Sequence, residues 1–184
     1  MKIKEIFRNL DRYKVLIRNY QDNINYYYDC LQDDEKLIDM LKTTEENLGI
    51  QKTRNLTAPQ ENEFLIKEIS RKRAKEEIER YRIRRNELFN RLFILEKSME
   101  YIQNLYKGKE LVYIVECKYM EHMNWNEVEI NYNNKFKDPE KPITKNTISN
   151  MCSKAMNLMD EFAESYPKYK IDYSEKLNKL NFKI

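Results

Sequence analysis

Apolar residues recur seven apart along the first part of the chain, at Ile3, Leu10, Ile17, Ile24, Leu31 and Ile38. A second line, Ile6, Tyr13, Tyr20, Tyr27 and Leu41, fills the companion seam of the same repeat. Together they predict a heptad helix over residues 1–48, whose seam must be covered by another helix. Asp34 falls on that seam, within the acidic cluster Asp33, Asp34, Glu35. Burying a carboxylate there is costly, so a break is expected between residues 31 and 36. The tyrosines in register are read as part of the apolar seam, not as a base-stacking surface.

Gly49 suits a helix C-cap, and the Thr, Asn and Pro content of Thr53 to Pro59 suits a loop, so residues 49–58 are read as a linker. Thr57 or Ala58 then stands near a cap position, with Pro59 in a first turn where its missing N–H costs nothing and Glu61 facing the helix dipole. A second long helix follows over residues 59–107, with the seam Ile78, Tyr81, Leu88, Leu92, Leu95, Met99, Ile102 and Tyr106. At 1.5 Å per residue it would be ~70 Å long, more than a small globule covers. Its partner is either the first helix folded back or the same helix of a second copy, and a homodimer through the long helices is the expectation. The basic run Arg71, Lys72, Arg73, Lys75, Arg80, Arg82, Arg84 and Arg85 is interleaved with Glu76, Glu77 and Glu79, which reads as a solvated face with pairs three and four apart.

Gly108 is read as ending the second helix and opening the C-terminal unit. Leu111, Val112, Val115 and Tyr119 predict a helix from Glu110 to Tyr119. Asn124 and Glu127 form an Asn-x-x-Glu capping box that starts another helix at Trp125, with Val128 and Tyr132 inward. Pro139 and Pro142 make Asn133 to Ile143 a connector, longer than the turn usual between paired DNA-binding helices. Thr144 is the expected N-cap of a last helix, Lys145 to Ser165, with Ile148, Cys152, Ala155 and Met159 inward. The tail, residues 167–184, is polar, with room for a short helix around Ser174 to Leu180. The fold class expected is all-α, two long antiparallel or coiled-coil helices followed by a C-terminal helix-turn-helix unit over residues 108–166.

Composition agrees with long exposed helices: 35% of residues are charged, with only 2 Gly and 4 Pro in 184 residues. There is no apolar run long enough for a membrane span, and no signal peptide is read at the N-terminus. Cys30, Cys117 and Cys152 are odd in number and widely spaced, which argues against a disulfide framework or a zinc site and for a reducing cytoplasm. His122, the only histidine, is read as a turn residue. With no phosphate-binding Gly-rich loop and no metal-ligand spacing, neither catalysis nor a cofactor is expected.

Functional chemistry concentrates on the last helix. If its apolar residues face inward, Asn146, Ser149, Asn150, Ser153 and Asn157 face outward, flanked by Lys145 and Lys154. Asn can bond bidentately to the N6 and N7 edge of adenine, Ser reaches several base edges and Lys neutralises phosphate. Over residues 135–154, Lys135, Lys137, Lys141, Lys145 and Lys154 oppose Asp138 and Glu140, a local excess of +3 that equals the whole-chain charge. The DNA-binding set expected is therefore Lys145, Asn146, Ser149, Asn150, Ser153 and Lys154, with Lys141 from the connector.

The segment Tyr119-Met-Glu-His-Met-Asn-Trp125, then Glu127-Val128, Thr144-x-x-Thr147-Ile148 and Ala155-Met156, resembles region four of bacterial sigma factors. With Leu56-Thr-Ala-Pro-Gln-Glu-Asn-Glu-Phe64 and the long charged helix upstream, residues 56–162 resemble the ArpU/RinA group of phage late-gene transcriptional regulators. That resemblance implies a sequence-specific regulator that binds double-stranded DNA and meets RNA polymerase. The chain departs from the pattern at Glu129, where a small residue is usual, and at the long connector. A coiled-coil scaffold or adaptor and a phage small-terminase-like packaging subunit are the alternatives.

Overall fold

A computed structural model describes residues 2–40 and 59–166, and every regular element among them is helical. In chain order these are α1 (Ile3–Arg8), α2 (Leu10–Gln32), α3 (residues 34–40), α4 (Pro59–Gln103), α5 (Gly108–Val115) with a π turn over Glu116–Met120, α6 (Trp125–Phe136) and α7 (Lys145–Ser165). The all-α class expected from the pattern holds. The Gly49 cap, residues 53–58 of the expected loop and the tail helix lie outside the described residues, while Pro59 opens α4 in the first-turn position the sequence predicts. The chain divides into two compact units: a hairpin unit, Lys14–Leu88, and a terminal unit that joins the residues up to Tyr13 with those from Phe89 onward.

The hairpin unit pairs α2 and α3 with α4 inside one chain. Moving up α4, its partners run backward along the first helices: Lys67 and Arg71 meet Asp34, Arg82 donates to the Tyr28 hydroxyl, and Arg85 donates to Gln21. That order defines an antiparallel pair. Tyr20 and Tyr27 both pack on Tyr81, with ring centroids 5.8 and 6.0 Å apart. The seam tyrosines are thus packing residues.

The expected break falls at Asp33. Its carboxylate accepts the N–H groups of Glu35 (3.0 Å) and Lys36 (3.3 Å), starting α3 as an N-cap does. The break changes the register. Leu37 and Met40 are buried with Cys30 and Ala74, while Ile38 is only half-buried, so the heptad projected from Ile3 is out of phase here. Asp34 turns outward to Lys67 at 3.3 Å and Arg71 at 3.0 Å.

A second break, at Asn9, interrupts what the pattern reads as one helix over residues 1–48. The Asn9 side chain donates to the Glu5 carbonyl (2.8 Å) and its own N–H bonds back to Ile6, closing α1 after six residues. α1 belongs to the terminal unit, where it packs on α7 and the π turn. The Ile3 N–H donates to the Asp160 carboxylate (2.7 Å), and Phe7 stacks on Tyr119 at 5.3 Å.

In α4, Ile78, Leu88, Leu92, Leu95 and Ile102 are buried as the seam predicts. Ser70 and Ser98 are also fully buried, their hydroxyls bonded to the carbonyls four residues back, Ile66 and Ile94, at 2.7 Å each. The helix stops at Gln103, short of Tyr106, which is 88% exposed rather than part of the seam. Gly108 explains the early stop. A Cβ there would lie 2.2 Å from the Gln103 carbonyl oxygen, so only glycine allows the chain to fold back this tightly. Lys107 takes the left-handed conformation (φ 58°), and Gly108 becomes the first residue of α5 rather than the terminator of α4.

Candidate nucleic-acid interface

The last two helices are set by local bonds readable residue by residue. Asn124 Oδ1 accepts the N–H groups of Asn126 (3.0 Å) and Glu127 (3.1 Å), and Glu127 Oε2 accepts the Asn124 N–H (2.8 Å). This is the capping box the sequence predicts, and it starts α6 at Trp125. Before it, the π turn closes with Glu121 bonded to the Glu116 carbonyl (3.0 Å), and His122 takes a left-handed turn conformation (φ 56°). Lys118 holds the corner, donating to the Met123 carbonyl (2.8 Å) and lying over the Trp125 ring at 5.0 Å.

The connector is shorter than expected because Asn133 to Phe136 remain helical. Phe136 packs on Tyr113 and Tyr132, with centroids 5.3 Å apart in both cases, and that contact holds the last turn of α6. The connector returns through a turn in which Lys141 N–H bonds to the Asp138 carbonyl (2.9 Å) and Glu140 N–H to the Asp138 carboxylate (3.1 Å). Asn133 then clamps its far end. The Asn133 amide donates to the Ile143 carbonyl and accepts the Ile143 N–H, both at 2.9 Å, so one side chain satisfies both backbone groups as a β-partner would.

Glu129 reaches from α6 to the start of α7. Its Oε1 accepts the Lys145 N–H at 3.0 Å, so a carboxylate from α6 caps the first turn of α7. Thr144 occupies the N-cap position, but its side chain makes no cap bond and meets Thr147 Oγ1 instead (3.2 Å). The first turn of α7 carries no acid of its own. Glu129 supplies the missing negative charge from outside the helix.

Below this, Glu110, Tyr132 and Lys137 form a partly buried cluster. Tyr132 is fully buried and donates to Glu110, which also pairs with Lys137 at 3.4 Å. Burial pushes the Glu110 carboxyl up, but the bonds from Tyr132 and Lys137 outweigh it and leave the group below its ordinary range. Burial first, and Glu110 second, push the Tyr132 hydroxyl well above its ordinary range.

The inward face of α7 is as expected: Ile148, Cys152, Ala155 and Met159 are buried, joined by Met156. Burial pushes the Cys152 thiol up to about 11, which keeps it a protonated packing residue. Opposite, Lys141, Lys145, Asn146, Asn150, Ser153 and Lys154 are exposed and Ser149 is half-buried. Within α7 the outward set forms one polar, uncharged strip, Asn146 to Ser153, with Lys145 before it and Lys154 after it. The Ser153 hydroxyl bonds to the Ser149 carbonyl (3.0 Å), leaving its oxygen to act as an acceptor.

The local charge excess is smaller at the surface than in the sequence. Lys137 is spent on Glu110, and Lys135 lies over the Tyr113 ring at 3.9 Å. Asn126 was not among the expected site residues, yet its Oδ1 accepts from Lys145 Nζ at 3.1 Å, placing its amide beside the start of the strip. No periodicity marks it. Only its place one turn into α6, combined with how the clamped connector returns α7, brings it there. Neither a family model, nor a curated protein, nor a solved structure matches the chain.

Proposed function

We propose that the chain is a sequence-specific regulator of transcription that binds double-stranded DNA, with α7 laid in the major groove. The observation that carries this reading is the division of the first half of α7, ahead of Asp160, Glu161 and Glu164, into an apolar inner face and an outer strip of Asn146, Asn150 and Ser153 without an acidic residue, bracketed by Lys145 and Lys154. A merely solvated helix face in a chain that is 35% charged has no reason to be uncharged. A face that must shed water and meet base edges does, because amides replace their water bonds with base bonds while charges would not. Lys141 and Lys154 supply phosphate contacts on either side. The likeness to sigma region four and to phage late-gene regulators supports the same reading, with RNA polymerase as a further partner.

The triple variant Asn146→Ala, Asn150→Ala, Lys154→Ala tests it. All three side chains are exposed, so helicity is retained. Specific binding to a duplex selected with the wild-type chain is lost; retention of that binding overturns the assignment.

A helical adaptor is the second reading, favoured by exposed apolar residues at the start of α4, Phe64 (70%) and Leu65 (54%). It requires no DNA affinity. A salt-dependent association constant for duplex DNA decides against it.

A further inference from the structure

A helix start is ordinarily a place where phosphate binds, since its first N–H groups are unpaired and the dipole adds roughly half a positive charge. In α7 a carboxylate already stands at that place. Glu129 Oε1 holds the Lys145 N–H at 3.0 Å, and the only lysine of the first turn, Lys145, is itself tied back through Nζ to Asn126 at 3.1 Å. The carboxylate is half-exposed to solvent and stands at the same end of the polar strip as Asn146. It therefore does two things at once: it fixes where α7 begins, and it puts a negative charge where a DNA phosphate would otherwise find its strongest non-specific contact.

Resting on the DNA-binding reading above, we propose that Glu129 is a specificity-determining residue, one that holds the recognition helix while repelling phosphate from its N-terminus. Binding energy is thereby shifted from phosphate, which every sequence offers, to the base edges met by Asn146 and Asn150. Specificity of this kind comes from weakening the wrong complex more than the right one. On the right duplex the base contacts hold α7 with its start away from the phosphates, and the repulsion is small. On a random duplex no base edge fixes the helix, its start settles against the backbone, and the repulsion is felt in full.

Glu129→Gln separates the two roles, because glutamine keeps an oxygen to accept the Lys145 N–H and loses only the charge. Affinity is measured for the full-length wild type and Glu129→Gln, on a duplex selected with the wild type and on a short random-sequence duplex, from low to high salt. The expected result at low salt is a gain of about five-fold on the random duplex, the scale of one charge acting through a partly solvated path, with a smaller gain on the selected one. The gain shrinks toward nothing at high salt, as screening requires. Unchanged helicity and melting confirm that the cap survives; a Glu129→Ala variant, which loses the acceptor as well, reports the cost of the cap itself. If wild type prefers the selected duplex but Glu129→Gln binds both duplexes as wild type does, or more weakly, the proposal for Glu129 is overturned and the DNA-binding reading stands. If wild type shows no preference for any duplex, both are overturned.

Discussion

The two units are both helical, yet they are held together differently. Among the described residues, the large side chains that are almost completely buried include Leu37 and Cys30 in the hairpin unit and Ile3, Ile6, Ile102, Ile114, Val115, Cys117, Val128, Tyr132, Ile148 and Met159 in the terminal unit. The hairpin unit closes over a narrow seam that includes Ser70 and Ala74 and the pair Arg85–Gln21, with its charges paired along the rim. The terminal unit brings α1, α5, α6 and α7 onto one core with an internal polar cluster. A pair of helices buries one stripe of each, whereas several helices around a centre bury whole side chains. Hydrogen exchange should follow that difference, with slower exchange in α5 and α7 than in α2, since protection tracks buried apolar contact.

The largest expected effect is on the core that distinguishes the units. Ile148→Ala, at a position with no exposure, should cost the terminal unit about 2–5 kcal/mol, measured by denaturant unfolding. A cost below 1 kcal/mol would mean that α7 is not seated as described. Next comes the polar cluster. Tyr132→Phe leaves the partly buried Glu110 with Lys137 alone and should cost about 1–3 kcal/mol.

The same cluster sets an acid limit. Because the folded Glu110 titrates below its ordinary 4.5, its contribution to stability is complete above that value and is lost as pH falls through the lowered one. Tyr132→Phe removes the stronger of the stabilising bonds and lets burial raise the group, so acid destabilisation should begin at a higher pH. An identical acid limb in the two proteins would show that Glu110 is not governed by this bond.

Smaller again is the capping box: Asn124→Ala should cost about 1 kcal/mol and fray α6 at Trp125. The smallest change is expected at the rim of the hairpin unit. Lys67 first, then Arg71, hold the exposed Asp34 carboxyl below its usual range, and Asp34→Asn should give a slight loss of stability that disappears at high salt. A salt-independent loss there would mean that Asp34 supports the hairpin unit by something other than its exposed ion pairs.

The features legible in the sequence were those set by residues close together in the chain. The break at Asp33, the capping box at Asn124, the turn at His122 and the four inward residues Ile148, Cys152, Ala155 and Met159 all follow from local spacing, and α7 runs between the limits its pattern predicts. What was not legible came from contacts distant in sequence. Nothing near Asn9 says that the first residues leave the heptad to pack on α7, because that depends on Asp160 and Tyr119. Glu129 reads as a misfit in its own helix and makes sense only once the Lys145 N–H is beside it. The charge count over residues 135–154 misled in the same way, since a count cannot tell that Lys137 turns inward to Glu110.

The central claim, that the outer strip of α7 reads DNA, is tested most directly by selecting bound sequences from random duplex DNA with the full-length chain. The expected result is enrichment of a defined motif with adenines at the positions facing Asn146 and Asn150, bound with an affinity that falls as salt rises. Recovery of sequences no different from the starting pool would contradict it.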